Sequence, residues 1–159
     1  MLIQKRTLTL RDGRTLTLRS AAAADAAEIC RHRRVTSGET DFMVRYAQEC
    51  DTDPARTVGR LEALEKAPRD FAVTAFYDGQ VVGDLEVRTV CPHLKCCHRA
   101  SLGVSILAQF CGAGLGTALL ELAIEQARAN GFLQLELGVF ADNARAIHVY
   151  EKLGFAVCG

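Results

Sequence analysis

No charge of either sign is in excess, since nineteen basic and nineteen acidic residues give a formal net charge of zero. Proteins that hold nucleic acid or an anionic membrane surface through phosphates usually carry a basic surplus, so the sequence argues against both partners. Long apolar runs are also missing, and none approaches the ~20 residues that span a bilayer. The amino-terminal run meets Lys5 and Arg6 too soon for a secretory signal. The expected compartment is therefore the cytoplasm. A disulfide framework is not indicated either. Seven cysteines are an odd number, and a chain of 159 residues can bury a core without staples, so reduced thiols are expected.

What is present is the composition of a globular domain, with 49% hydrophobic and 24% charged residues, and the length fits one domain over residues 1–159. Residues 5–10 and 14–19 alternate threonine and leucine around Asp12-Gly13, which predicts a hairpin. From about Asp25 to Val35 the spacing predicts a helix with Ala26, Ile29, Cys30 and Arg33 on one side, broken by the stretch from Thr36 to Met43. The run Arg31-His32-Arg33-Arg34 is expected to be a solvated helix face. Asp53 as N-cap and Pro54 in the first turn start a second helix that ends before Pro68. A second hairpin is predicted from Phe71–Tyr77 and Gln80–Val90 around Asp78-Gly79. In it, Asp84, Glu86 and Arg88 alternate with apolar residues.

The most informative stretch runs from Ala100 to Glu121. Leu102, Val104 and Ile106 mark a strand, and Leu115, Leu119 and Leu122 mark a helix. Gly112, Gly114 and Gly116 lie between them, where the backbone can turn sharply and approach a ligand closely. The first N–H groups of such a helix lack intrahelical partners and sit at its positive end, so the junction suits a pyrophosphate. It is not a P-loop, because Gly116-Thr117 lacks the lysine. The dinucleotide spacing G-x-G-x-x-G is absent too, and Glu136 lies within the alternation Leu133, Leu135, Leu137 of the next predicted strand, 133–140. A last helix, capped by Asp142 or Asn143, carries Ala146, Ile147, Tyr150 and Leu153 on one face and stops at Gly154.

The glycine turn followed by Asn143-x-x-Ala146-x-x-x-Tyr150-x-x-x-Gly154-Phe155 resembles the GCN5-related N-acetyltransferase family. That family's Arg/Gln-x-x-Gly-x-Gly/Ala signature falls on Cys111, Gly112, Ala113, Gly114, Leu115 and Gly116, with Cys111 departing from it. The resemblance implies a mixed α/β fold, with a mostly antiparallel sheet and helices on both faces. It also implies that the strands at 100–107 and 133–140 are parallel and splay apart where the donor enters. Family members usually continue past Gly-Phe into closing strands, whereas this sequence stops at Gly159. The expectation drawn from that stop is either self-association, as a homodimer through the edge at 133–140 and 155–159, or a form less stable than a longer parent.

By the same resemblance the activity is transfer of an acetyl group from acetyl-CoA to a primary amine of a small molecule or protein. The pyrophosphate falls to Cys111, Gly112, Ala113, Gly114, Leu115, Gly116 and Thr117. The pantetheine arm falls to Leu102, Gly103, Val104 and Ile106, with Asn143 and Ala146 alongside. Tyr150 is the implied proton donor to the departing thiolate. Many relatives carry a glutamate where Ser101 stands, so Glu86, Glu39 and Asp41 become the candidate bases. Glu39 and Asp41 favour a cationic acceptor by charge. A module that binds acetyl-CoA with little activity is the alternative. Cys91-Pro92-His93-Leu94-Lys95-Cys96-Cys97-His98 holds soft ligands but lacks paired C-x₂-C spacing, so a loop without metal is expected. Cys111 is expected to be a small residue beside the turn, not a catalytic thiol.

Overall fold

The structure, a computed structural model, describes residues 2–159. The threonine and leucine alternation forms strands β1 (Arg6–Thr9) and β2 (Thr15–Arg19), paired antiparallel with Leu8 opposite Leu16. Strand β3 (Phe71–Tyr77) and strand β4 (Gln80–Thr89) form the second hairpin, and strand β5 (Arg99–Ile106) returns antiparallel beside β4. Strand β6 (Gln134–Glu136) then pairs parallel with β5, giving six strands in sequence order.

Period-2 patterning divides the sheet into two faces. Phe71, Val73 and Ala75 of β3, Leu85 and Val87 of β4 and Leu102 of β5 are buried in one core with Leu115, Leu119 and Leu120 of helix α3 (Leu115–Ala129). Each fully buried leucine there contributes about 1.5–3 kcal/mol of burial free energy. Helix α3 can lie this close because position 83 is glycine. A Cβ there would stand 3.2 Å from Leu119 Cδ1 and 3.3 Å from Leu115 Cδ2. Helices α1 (Ala26–Glu39) and α2 (Pro54–Lys66) cover the opposite face, where Ile29, Leu61, Phe76 and Val81 form a smaller core. Asp53 caps α2 by accepting from the Ala55 N–H at 2.9 Å. Helix α4 (Ala144–Lys152) packs Val149 and Tyr150 against the larger core. No helix among the described residues is long and apolar enough to cross a membrane.

Two expectations are corrected. Helix α1 does not end at Val35 but runs on through Thr36, Ser37 and Gly38 to Glu39, four residues into the stretch expected to break it. Thr36 and Ser37 are buried, and the Thr36 hydroxyl donates back to the His32 carbonyl at 2.9 Å, so the small polar residues are satisfied inside the helix. The strand predicted over 133–140 is regular only at Gln134–Glu136. Its partners on β5 are Arg99, Ala100 and Ser101. Beyond Glu136 the chain no longer pairs with β5, and without that ladder it is not a strand.

Candidate active site

The parting of β5 and β6 forms a V in the sheet. Its closed end is clamped by Arg99, whose guanidinium donates twice to the Glu136 carboxylate, with Nη2 to Oε2 at 2.8 Å. The Arg99 hydrogen bonds hold the Glu136 carboxyl below its ordinary range, as expected of a carboxylate in a bidentate pair. Past this clamp, Leu102 stays buried while Val104 and Ile106 are half-buried toward α3. Gly103, on the other face, is exposed, and a Cβ there would meet nothing within 4 Å.

The mouth of the V is the glycine turn. Gly112 and Gly114 have φ of 82° and 99°, a left-handed region that only glycine occupies readily, and Gly114 is the N-cap of α3. The first bond of the helix is Ala118 N–H to the Gly114 carbonyl at 3.1 Å, so the N–H groups of Leu115, Gly116 and Thr117 precede the intrahelical ladder. Ala113 and Leu115 are buried and hold the turn on the core, Gly116 packs under Ile106, and Thr117 is half-buried. Two cations flank the turn. Arg145 Nη2 lies 3.0 Å from where a Gly112 Cβ would stand, and Arg11 Nε lies 3.7 Å from the Gly114 position. A groove of about 420 Å³ runs from Gly114 and Thr117 past Arg11 to Lys152.

Helix α4, which carries the remaining predicted residues, packs on the larger core with its Arg145 beside the glycine turn. Asn143 Oδ1 accepts from the Ala146 N–H at 3.2 Å, capping α4, while its amide NH₂ has no partner among the described residues. Tyr150 is half-buried with its ring 5.9 Å from Phe155, edge to face. Its hydroxyl has no partner among the described residues, and burial raises its pKa, so it stays protonated at neutral pH. Cys111 is exposed, and desolvation pushes its thiol above the ordinary value, with Arg145 opposing and Glu39 adding. That direction is the opposite of the lowered pKa that activates a cysteine nucleophile.

Of the candidate bases, Glu39 is tied down. Its Oε2 accepts from the Ala108 N–H at 2.8 Å, so it fixes the segment leading from β5 into the glycine turn. Asp41 is exposed in the connection after α1. Glu86 lies opposite Gly103 in the β4–β5 ladder, on the face covered by α1 and α2. Its carboxylate meets Arg60 Nη2 at 3.1 Å, Arg33 Nη2 at 4.0 Å, and Arg88 Nε.

Of the basic run in α1 only Arg34 is exposed, so the run as a whole is not a solvated face. His32 has no exposed surface, its Nε2 lies 2.9 Å from Ser105 Oγ, and Nδ1 has no partner. Arg33 reaches Asp84 at 3.4 Å, and Arg31 donates to the Val81 carbonyl. The helical spacing of Ile29, His32, Arg33 and Thr36 carried that signal, because those positions share the inner face. Among the described residues no three metal-ligating side chains converge. In the 91–98 loop the Cys96 thiol donates to Cys91 Sγ at 3.0 Å, a bond that lowers the pKa of Cys91 and raises that of Cys96.

A sheet that parts after Ser101, with a glycine turn leading into a helix N-terminus at its mouth, defines a mixed α/β protein. The chain belongs to the acetyltransferase (GNAT) family, whose sequence profile matches residues 31–155. It is 36% identical over 104 residues to a mycothiol acetyltransferase of Corynebacterium glutamicum (strain R), covering 64% of this chain and 34% of that protein. It is 35% identical over 101 residues to the L-amino acid N-acetyltransferase AaaT of Escherichia coli (strain K12), covering 62% of this chain and 60% of that one. The chain thus spans between a third and three fifths of the length of these relatives. Among solved structures, the acetyltransferase of GNAT family from Streptococcus pneumoniae superposes with a TM-score of 0.86 at 30% identity, over 91% of this chain and 86% of that one. The fold is also that of a putative acetyltransferase, yncA, from Salmonella typhimurium with its cofactor acetyl-CoA, at TM-score 0.79 and 23% identity, over 91% of this chain and 81% of that one.

Proposed function

We propose that the chain, as one domain, transfers an acetyl group from acetyl-CoA directly to a primary amine of a small-molecule or protein acceptor. The observation that carries this reading is the glycine turn opening into the V, with helix α4, the bearer of Asn143 and Tyr150, reaching the turn through Arg145. The amides of Gly112 to Thr117, with Arg11 and Arg145 beside them, are suited to a pyrophosphate. Lys152 and Arg11 in the adjoining groove suit a further phosphate. The free strand edge at Leu102–Ile106 suits the amides of the pantetheine arm, which can pair as an added strand. Asn143 has an amide to offer the same arm.

Acetyl-CoA supplies a thioester carbonyl as the electrophile. An amine with a pKa of ~10.4 must lose a proton before it attacks. Glu86, beside Gly103, takes that proton, directly or through water. The Tyr150 hydroxyl, kept protonated by burial, gives a proton to the sulfur as it leaves. Glu39 supports the turn and is not the base in this reading.

The experiment is release of CoA thiol from acetyl-CoA with a panel of amines. Turnover that depends on the amine is expected. A binding module without activity is the second reading, favoured by Ser101 and by the three guanidinium groups already on Glu86, and it predicts no release with any amine. The same proposal sets the protein in the cytoplasm, a compartment that keeps seven thiols reduced, with neither nucleic acid nor membrane as partner. It includes a homodimer through the β6 edge, where Leu133, Val139 and Phe140 are exposed. Sedimentation that stays monomeric at every concentration would remove the dimer.

A further inference from the structure

The face of the sheet opposite α3 carries more guanidinium than its carboxylates satisfy. Arg33, Arg60 and Arg88 come from α1, α2 and β4 and converge on the single carboxylate of Glu86. Each guanidinium has five N–H donors, whereas one carboxylate offers about four lone-pair positions. Asp84 relieves little of the surplus, because it is buried, takes the Thr74 hydroxyl at 2.9 Å and meets only Arg33, at 3.4 Å. Arg60 Nε is buried and has no partner at all.

This surplus lies at the margin of the cover that α1 and α2 give this face, next to the exposed part of β5. In the ladder Arg88 stands opposite Ser101 and Glu86 opposite Gly103, and both β5 residues are exposed. Arg88 itself has 47% of its side chain exposed, against 16% for Glu86. Next to the closed end of the V there is thus a carboxylate with guanidinium groups around it, open on the face away from α3.

Resting on the acetyltransferase reading above, we propose that the acceptor is a free α-amino acid, a primary amine with a carboxylate on the adjacent carbon. In such a zwitterion the ammonium and the carboxylate are held within about one hydrogen-bond length. The pair formed by Glu86 and Arg60, 3.1 Å apart, presents the opposite charges at matching separation. The acceptor's ammonium donates to Glu86, which positions it and then takes its proton. Its carboxylate takes the unused donors of Arg88 and Arg60, and planar guanidinium suits that exchange because it binds carboxylate in pairs of bonds. The cationic acceptor expected from Glu39 and Asp41 is displaced by this assignment, since Glu39 is bonded to Ala108 and Asp41 lies outside the cluster.

The test compares the common L-α-amino acids, each with its own carboxamide, together with lysine-containing peptides, by mass of the acetylated product and by CoA release. At least one free acid is expected to be acetylated with kcat/KM about tenfold or more above its carboxamide, because an unused buried donor penalises the analogue that cannot meet it. In Arg88→Gln, the most exposed of the three positions, that acid-to-amide ratio is expected to fall toward one, with Arg88→Lys restoring part of it. Carboxamides or peptide amines turned over as well as the acids would overturn the carboxylate assignment while leaving the acetyltransferase reading intact. No amine of any kind turned over would overturn both.

Discussion

Tyr150 and His32 are both aromatic side chains drawn partly or wholly out of water, and burial acts on them in opposite directions. For Tyr150 it disfavours the phenolate and keeps a proton available beside the gap. Tyr150→Phe keeps the ring against Phe155 and removes only the hydroxyl. Its kcat is expected to fall about 100-fold or more, with KM for acetyl-CoA little changed, as for loss of a general acid. A loss carried entirely by KM would mean the ring only packs. For His32, burial lowers the imidazole pKa, against the opposing field of Asp84, the Val81 and Ser105 contacts, and a further lowering by Arg31. The unfolded chain binds that proton more tightly. His32 therefore contributes stability that is present above about pH 6.5 and is lost as the pH falls from there toward the folded value. The carboxylates whose pKa is lowered, Asp12, Asp25, Asp51 and Glu136, titrate below this window, and His32→Gln separates the imidazole from the other groups. Urea unfolding at several pH values between 8 and 5.5 is expected to show the native protein losing stability on acidification and His32→Gln losing less. Equal losses in both would place the effect elsewhere.

At the level of the element, the turn into α3 has two glycines with different reasons to be there. Gly114 holds φ at 99°, where an alanine costs about 1–2 kcal/mol from the contact of its Cβ with the backbone. Gly116 is free of that strain, and a Cβ there would lie 3.2 Å from Ile106 Cδ1, the end of a side chain that can shift. Gly114→Ala is expected to lower both the urea midpoint and acetyl-CoA affinity more than Gly116→Ala does. The reverse order would mean that space, not backbone conformation, dictates the turn. This turn was legible in the sequence because its signal is local, as were both hairpins and the cap and proline that start α2. The end of α1 was not, since Thr36 and Ser37 look like helix breakers until a neighbouring layer buries them. The strand expected over 133–140 is only Gln134–Glu136 for a related reason. Alternation of Leu133, Leu135 and Leu137 describes the segment, but pairing depends on β5, which diverges after Ser101. The convergence on Glu86 was least legible of all. Arg33 and Arg60 are separated from it by 53 and 26 positions, and only the docking of α1 and α2 on one face of the sheet brings them together.

Taken as a whole, the molecule consists of a well-paired half and an open half. Strands β1 to β5 are joined by antiparallel ladders, with seven pairs each in β3–β4, where a bulge falls between Ala75 and Phe76, and in β4–β5, whereas β6 is parallel, meets β5 at three positions and is followed by a segment with no ladder. Amides in the open half should exchange with solvent through local fluctuations, and those of β3 and β4 only through openings close to global unfolding. A ligand wedged into the V acts on the two halves differently. It stabilises the whole fold by about 2.7 kcal/mol at a concentration a hundredfold above Kd, and it also supplies acceptors and donors to the strand edge that faces the gap. Hydrogen exchange with saturating acetyl-CoA is thus expected to slow most along residues 102–106, 112–117 and 137–143. Strands β1 to β3 should slow by no more than the global increment. Protection spread evenly over the sheet, or concentrated in the hairpin of β1 and β2, would put the ligand outside the V, and the assignment of the glycine turn and the β5 edge to the acyl donor would fail with it.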